Sequence, residues 1–310
     1  MSRILVTGAN GQLGQCLKWV VNSDKNKNKE NEFIFVSRDD LDISNEDSLE
    51  EFFSKNKVDY IINCAAYTNV DGSKDDIDGV TVGNVIAPTL LAEFAEMQDA
   101  VLVHISTDYV FDGKKNTPYT EDDRPNPLNT YGASKLIGET FVLNYSKGYV
   151  FRTSWLYSIY RKNFFLTMVN RIKNNKKTEV VIDQVGTPTS ARALAMFLVW
   201  FVDNCEAKKI EPGLYNFSND GVCSWYDFAS VIEDKLKKER YGMGMLHCSE
   251  VISPISTDEY NKKNNLNNEP RPAYSVLSNE KIKKYYSYIN HWIVDLNNEV
   301  IFLGANGFLY

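Results

Sequence analysis

The sequence predicts an α/β fold built on a doubly wound parallel sheet, and three observations carry that reading. Apolar runs of strand length alternate with helical periodicity over the first 150 residues. The first run, Arg3-Ile-Leu-Val-Thr7, passes straight into a glycine turn, Gly8-Ala-Asn-Gly11-Gln-Leu-Gly14, and then into a helix. Three runs end in small or hydroxyl residues, at Gly8, Ala65 and Thr107, and sheets of this kind bind ligands outside the carboxyl ends of their strands.

The elements follow in order. A helix over 12–21 keeps Leu13, Leu17 and Val20 at helical spacing. Glycines let a backbone approach a pyrophosphate, and a helix N-terminus offers unpaired N–H groups and a positive dipole end. Gly8, Asn10, Gly11, Gln12, Leu13 and Gly14 are therefore candidates for holding a dinucleotide. Their spacing is GxxGxxG rather than GxGxxG, and only the flanking strand and helix separate it from a plain tight turn. Residues 22–32 read as a polar surface loop. The second strand, 32–36, leads to Arg38-Asp39-Asp40 and Asp42, where an adenosine ribose would lie. An acid there suits NAD and an arginine the 2′-phosphate of NADP; Arg38, coming first, tilts the choice to NADP.

A helix over 46–55 is capped by Ser44 or Asn45. The third strand, 58–63, ends in Cys64-Ala65-Ala66-Tyr67-Thr68, whose alanines leave room for a flat ligand. A helix follows over 83–97. The fourth strand, 101–105, delivers Ser106, Thr107 and Asp108. Residues 113–127 are a Pro-rich connection with no other role legible in them. Tyr131 and Lys135 then open a helix four residues apart, on one face. A free phenol titrates near ~10, and a neighbouring ammonium lowers it. With a hydroxyl from Thr107 or Ser106 holding an oxygen nearby, these are the parts for proton transfer at a carbonyl or alcohol.

Beyond this, strands are expected at 148–152, 179–182 and 213–217. Helices are expected at 163–172, 190–202, from a Ser224 cap to 237, and near 279–285 and 292–302. Residues 183–189 read as a turn-rich loop and 261–272 as an exposed one. His104, inside an apolar strand, reads as a satisfied core histidine, and Trp225 and Trp292 as packing.

Composition removes several function classes. The 310 residues carry a net charge of −7, unsuited to nonspecific binding of nucleic acid or an anionic membrane. No apolar run approaches the ~20 residues of a membrane span, and the N-terminus enters a strand with no room for a signal peptide. Five scattered cysteines without a CxxC, beside three histidines, fit reduced thiols in a cytoplasmic protein and no metal cluster.

Several blocks carry a more specific resemblance: Ser106-Thr-Asp-Tyr-Val-Phe-Asp-Gly113, Pro127-Leu-Asn-Thr-Tyr-Gly-Ala-Ser-Lys135, Phe151-Arg-Thr-Ser-Trp155, Asp183-Gln-Val-Gly-Thr-Pro-Thr189, Ser224-Trp-Tyr-Asp-Phe-Ala229 and Arg271-Pro-Ala-Tyr-Ser275. With the glycine turn and the Tyr131/Lys135 pair, they make the chain resemble the extended short-chain dehydrogenase/reductase family, in its nucleotide-sugar branch. The resemblance implies a Rossmann-type NAD(P)-binding domain over 1–150, completed by parts of 175–220. Interleaved segments of 151–310 would form a smaller sugar-nucleotide-binding domain. It implies hydride transfer from NADPH or NADH to C4 of a nucleoside-diphosphate 4-keto-6-deoxy sugar. Tyr131 would be the proton donor, Lys135 would lower its pKa and hold the nicotinamide ribose, and Thr107 would bond the C4 oxygen. Ala65, Ala66 and Tyr67 would line the cofactor. Asp108, Tyr109 and Trp155 would border the sugar, Asn163 and Arg271 the nucleotide, and Thr68 and Val70 the cofactor–substrate junction. Cys16 and Arg192 stand where some members place metal-binding glutamates, so any homodimer is expected to lack a metal bridge. Val70-Asp71-Gly72-Ser73-Lys74 keeps only half of a family motif, which puts substrate contacts or a helix start there in question. The rival readings are a non-catalytic cofactor-binding regulatory subunit, as the family also contains one, and a reductase of a different nucleotide sugar.

Overall fold

Six of the apolar runs pair into a single parallel sheet in the computed structural model, which describes residues 1–23, 31–241, 251–264 and 269–307. The strands are β1 (Arg3–Thr7), β2 (Glu32–Phe35), β3 (Tyr60–Asn63), β4 (Val101–Thr107), β5 (Gly148–Thr153) and β6 (Gly213–Asn216). Their order across the sheet is β6-β5-β4-β3-β1-β2. Strand order reverses direction at β1, which puts a crevice between the carboxyl ends of β1 and β3. Register aligns Thr7 with Asn63 and Thr107 with Thr153, so these ends form one edge.

Successive side chains of a strand point to opposite faces, and both faces here are covered. Ile4, Val6, Ile62, Val103 and Phe151 pack under the helices Gln12–Ser23 and Ala191–Asn204. Leu5, Ile61, Leu102 and Val150 pack on the other face, under Glu46–Lys55, Ala87–Gln98 and Thr130–Asn144. Each such fully buried side chain contributes roughly 1.5–3 kcal/mol. A second core lies apart from the sheet. It joins Tyr157, Phe165, Phe228, Trp292, Leu296 and Leu303, from the helices Phe164–Lys173, Trp225–Tyr241 and Trp292–Ala305. Among the described residues no helix is long and apolar enough to cross a membrane.

Several expectations need correction. Asn45, not Ser44, caps Glu46–Lys55, accepting from Ser48 N at 2.9 Å, because the Ser44 hydroxyl is engaged by Asp42. The helix expected from residue 83 begins at Ile77, capped by Asp76, and the shortened family motif ends before it. It passes through a π turn, Val82–Ile86, before Ala87–Gln98. Pro88 lies just beyond and has no N–H to give the Asn84 carbonyl, so the ladder opens there. The widened turn presents Asn84, whose amide accepts from Tyr67 N at 2.9 Å and donates to Tyr67 O at 3.1 Å and Ser134 Oγ at 3.0 Å.

Before the loop expected over 261–272, and running into it, lie a strand, Ile252–Ile255, paired in parallel with Thr178–Val181, and a helix, Thr257–Asn264, neither of which was expected. That helix buries no residue, so it carries no apolar periodicity to read. Asp183 anchors its start by accepting from Thr257 N and Oγ1. Residues 24–30 of the first expected loop and 265–268 of the second lie outside the described residues. The Pro-rich stretch is more than a connection. Tyr119 exchanges backbone bonds of 2.8 Å with Val276 and Ser278, stacks on Phe111 at 4.0 Å, and precedes Glu121, which accepts from Asn216 N at the end of β6. It straps a C-terminal segment onto the sheet.

Candidate active site

The site starts at the glycine turn. Gly8 has φ +66°, and a Cβ there would lie 2.7 Å from Ala65 N, so only glycine lets β1 leave the sheet this close to the end of β3. Gly11 donates to Gly8 O at 2.8 Å, and a Cβ on Gly11 would meet only that same oxygen. The space beside Gly11 is thus open, and the first N–H groups of the helix, from Gln12, Leu13 and Gly14, have no partners within it. That is a cradle of the right chemistry for a pyrophosphate, and the residues fit a dinucleotide. Beyond β2, Arg38 is 79% exposed and only loosely paired with Asp42 at 3.8 Å, while Asp40 and Asp42 are tied to Ser37 and Ser44. After β3, Ala65 N donates to Asn63 Oδ1 at 3.1 Å, Ala66 is half-buried, and Tyr67 is clamped by Asn84.

The next strand end settles which hydroxyl faces the site. Ser106 and Thr107 are neighbours on β4 and point to opposite faces. Ser106 Oγ turns inward and donates to Glu139 Oε1 at 2.5 Å, whereas Thr107 Oγ1 donates to Asp108 Oδ1 at 3.1 Å and accepts from Tyr109 N at 3.2 Å. Thr107 also lies beside the Tyr131 phenol and favours its ionised form. Tyr131 stands in the first turn of Thr130–Asn144, whose cap Asn129 accepts from Gly132 N at 2.7 Å and donates to Pro270 O at 2.8 Å.

The charge logic expected for Tyr131 and Lys135 is corrected by burial. Burial raises the Tyr131 phenol well above its ordinary value; Thr107 opposes this, and Asp108 and Tyr109 add to it. Burial outweighs whatever lowers the phenol here. Lys135 Nζ is 2.7 Å from Ile105 O and 3.1 Å from His104 Nε2, and burial lowers it to about 8 against the opposing charge of Glu139. Tyr131 therefore holds its proton at neutral pH, the state needed of a donor.

The remaining candidates divide. Asp108 is buried beside Thr107, with Oδ2 unpartnered, and burial raises its carboxyl to about 7 against hydrogen bonds from Ser275 and Thr107. The Tyr109 ring meets Tyr131 edge-on at 6.0 Å. Trp155, at φ +47°, stacks on Trp225 at 3.5 Å. Trp225, expected to be packing, is thus the ring on which Trp155 rests. Asn163 is placed differently from expectation. It caps Phe164–Lys173 and its Nδ2 donates to Gln12 Oε1 at 2.7 Å, tying the second core to the glycine turn. Arg271 is paired with Asp71 at 3.0 Å, so its guanidinium is already engaged. Thr68 is exposed on the loop that leads to Asp71, and Val70 closes a turn there by accepting from Ser73.

Sequence reasoning missed the support beneath the site. His104 is satisfied and buried, as expected, but one of its partners is Lys135. Arg152 and Glu139 form a buried two-point ion pair at 2.9 and 2.6 Å directly under the helix that carries Tyr131. A charged residue inside the apolar run 148–153 was the one available signal.

Fold and site together define a nicotinamide-dependent oxidoreductase of the extended short-chain type. Comparison with known proteins narrows this. Residues 1–301 match the family described as RmlD substrate binding domain, and the chain belongs to that family. It is similar to the spore coat polysaccharide biosynthesis protein SpsK of Bacillus subtilis, 35% identical over 293 residues, 94% of this chain and 94% of that one. It is also 35% identical, over 289 residues, to a dTDP-4-dehydrorhamnose reductase of Aggregatibacter actinomycetemcomitans, covering 92% of this chain and 94% of the relative. Among solved structures, the dTDP-4-dehydrorhamnose reductase of Bacillus anthracis in complex with NADP has a TM-score of 0.82 and 33% identity, covering 97% of this chain and 99% of that one.

Proposed function

We propose that the protein reduces the C4 keto group of a nucleoside-diphosphate 4-keto-6-deoxy sugar, converting dTDP-4-dehydro-L-rhamnose to dTDP-L-rhamnose. The feature that carries this is the convergence of the half-buried Tyr131 and of Thr107 on the sheet edge that also holds the glycine cradle. The reductases among the relatives supply the substrate class. NADPH or NADH, when bound, supplies the hydride. Gly8, Gly11 and the helix N-terminus hold the pyrophosphate, and Arg38 favours NADPH because its exposed guanidinium suits a 2′-phosphate. Thr107 Oγ1 positions the C4 oxygen, and Tyr131 gives its phenolic proton to that oxygen as negative charge develops on it. Lys135 anchors the nicotinamide ribose one turn below. The sugar lies between Asp108, Tyr109 and Trp155, and the second core forms the substrate-binding unit closing over the sheet edge.

The test is NAD(P)H oxidation, followed by absorbance, with dTDP-, UDP- and GDP-linked 4-keto-6-deoxy sugars. Turnover with the dTDP substrate is expected, and Tyr131→Phe should lower it by about 10²–10⁴-fold while cofactor affinity stays nearly intact. Unchanged turnover in that variant would remove Tyr131 from the mechanism. Absence of oxidation with every sugar would point to the regulatory reading.

A further inference from the structure

The residue that opens the cradle helix also reaches out of it. Gln12 stands at the start of Gln12–Ser23, with its N–H group in the cradle, while its side chain extends to the second core. Gln12 Nε2 donates to Leu156 O at 3.0 Å, and Gln12 Oε1 accepts from Asn163 Nδ2 at 2.7 Å. Neither amide can be turned round. Leu156 O only accepts, so the Gln12 atom facing it is the nitrogen. Leu166 N only donates, at 3.0 Å, so the Asn163 atom facing it is the oxygen. Asn163 Nδ2 also faces Ser158 O at 2.8 Å and Tyr160 O at 3.2 Å, so one amide gathers the loop 158–163. Further along the helix, Cys16 meets the Ser158 hydroxyl, and Trp19 meets Phe302 edge-on at 5.0 Å. Positions 12, 16 and 19 share one helix face. Leu13, Leu17 and Val20 form another, which packs on the sheet. The cradle helix is thus shared between the two cores.

We propose that Gln12 and Asn163 are positioning residues that carry occupancy of the cradle to the second core. A pyrophosphate on the N–H groups of residues 12–14 fixes the first turn of the helix. Through the two amides it also fixes the loop 158–163 and the start of Phe164–Lys173. A ligand of the second core then meets a segment already ordered, and its affinity rises. Such coupling is reciprocal, so each ligand tightens the other by the same factor. This role differs from the nucleotide contact expected of Asn163, whose amide is engaged within the protein. The identity of the second core's ligand rests on the proposed function; the link itself rests on the two amides.

Hydrogen–deuterium exchange of the full-length protein, read by mass spectrometry with and without saturating NADP⁺, tests the link. In the parent, NADP⁺ should slow exchange at residues 8–16 and also at 156–166, the latter by at least about fivefold, the lower end of a typical coupling. Gln12→Met removes both hydrogen bonds at similar side-chain length. Asn163→Ser keeps a side-chain cap for the helix and is too short to reach Gln12. In both variants the slowing at 8–16 should remain and the slowing at 156–166 should vanish. Slowing at 156–166 that persists in both variants overturns the proposal, as does slowing at 8–16 alone in the parent. If Gln12→Met fails to fold or to bind NADP⁺, Asn163→Ser, which leaves the glycine turn intact, decides alone. Calorimetry supplies the reciprocal arm. NADP⁺ should tighten dTDP binding by at least about fivefold in the parent and leave it nearly unchanged in Asn163→Ser. An equal gain in both overturns the coupling. A parent that does not bind dTDP counts against the proposed substrate, while the exchange result still decides the link. No slowing at either segment of the parent removes the cofactor reading, and the link with it.

Discussion

Asp108 is a single residue with a measurable cost. Its carboxyl is raised by burial from 3.8 to about 7, so the folded chain keeps a proton that the unfolded chain has lost. Below about pH 4 both states are protonated and the group is neutral in its effect. From there to about pH 7 the folded state binds more protons, so stability falls as pH rises, by up to about 4 kcal/mol in all. Asp108→Asn removes this dependence. Its stability relative to the parent, measured by urea unfolding, should improve between about pH 4 and about pH 7 and stay level above that. A gap that does not change with pH would mean the carboxyl is not held protonated. At this scale the site was only partly legible. Thr107, Tyr131 and Lys135 stood out because residue type and spacing mark them. The direction of the Tyr131 shift did not, because burial outweighs a neighbouring charge and spacing does not report burial.

The glycine turn is an element in which two similar residues do different work. Gly8 is held at φ +66° against the backbone of Ala65, while Gly11 borders open space. Gly8→Ala meets both a left-handed conformation and a close backbone contact, and should lose at least about 1–2 kcal/mol. Gly11→Ala should leave the thermal midpoint nearly unchanged and raise the KM for NAD(P)H, because its methyl group intrudes on the cradle. Equal loss of stability in both variants would contradict the division. Strand–turn–helix order made this element legible from sequence. The strand Ile252–Ile255 and the helix Thr257–Asn264 were not, since the helix buries nothing and the strand finds its partner some seventy residues earlier, at Thr178–Val181.

Across the whole molecule, the Glu139–Arg152 pair joins the helix carrying Tyr131 to the middle of the sheet. Both side chains are almost fully buried, at 1% and 2% exposure, and Arg152 Nη1 has no partner. Removing one charge leaves the other uncompensated, so Glu139→Gln should cost about 3–5 kcal/mol. Glu139→Gln combined with Arg152→Met should recover part of that loss, as read by denaturant midpoints. A single substitution without effect would show that the pair is solvated or unused. The sheet and its order could be anticipated because each strand is a local apolar run. The pair, the second core and the Tyr119 strap join residues far apart in sequence, and local pattern carries no record of such partnerships.

The π turn at Val82–Ile86 makes the spacing of this helix a matter of phase. An α-helix turns by about 100° per residue, so deleting one residue from the wide turn would restore ordinary geometry while swinging everything upstream around the axis. Asn84 meets Tyr67 at both its N–H and its C=O, as a neighbouring strand would, and reaches Ser134 as well. The extra residue thus acts as a latch between the segment that follows β3 and the helix that bears Tyr131. A chain shortened by one residue there should keep its helix content by circular dichroism and lose its alignment of cofactor and proton donor, turning over slowly while remaining folded. A fully active deletion variant would show that the latch is dispensable.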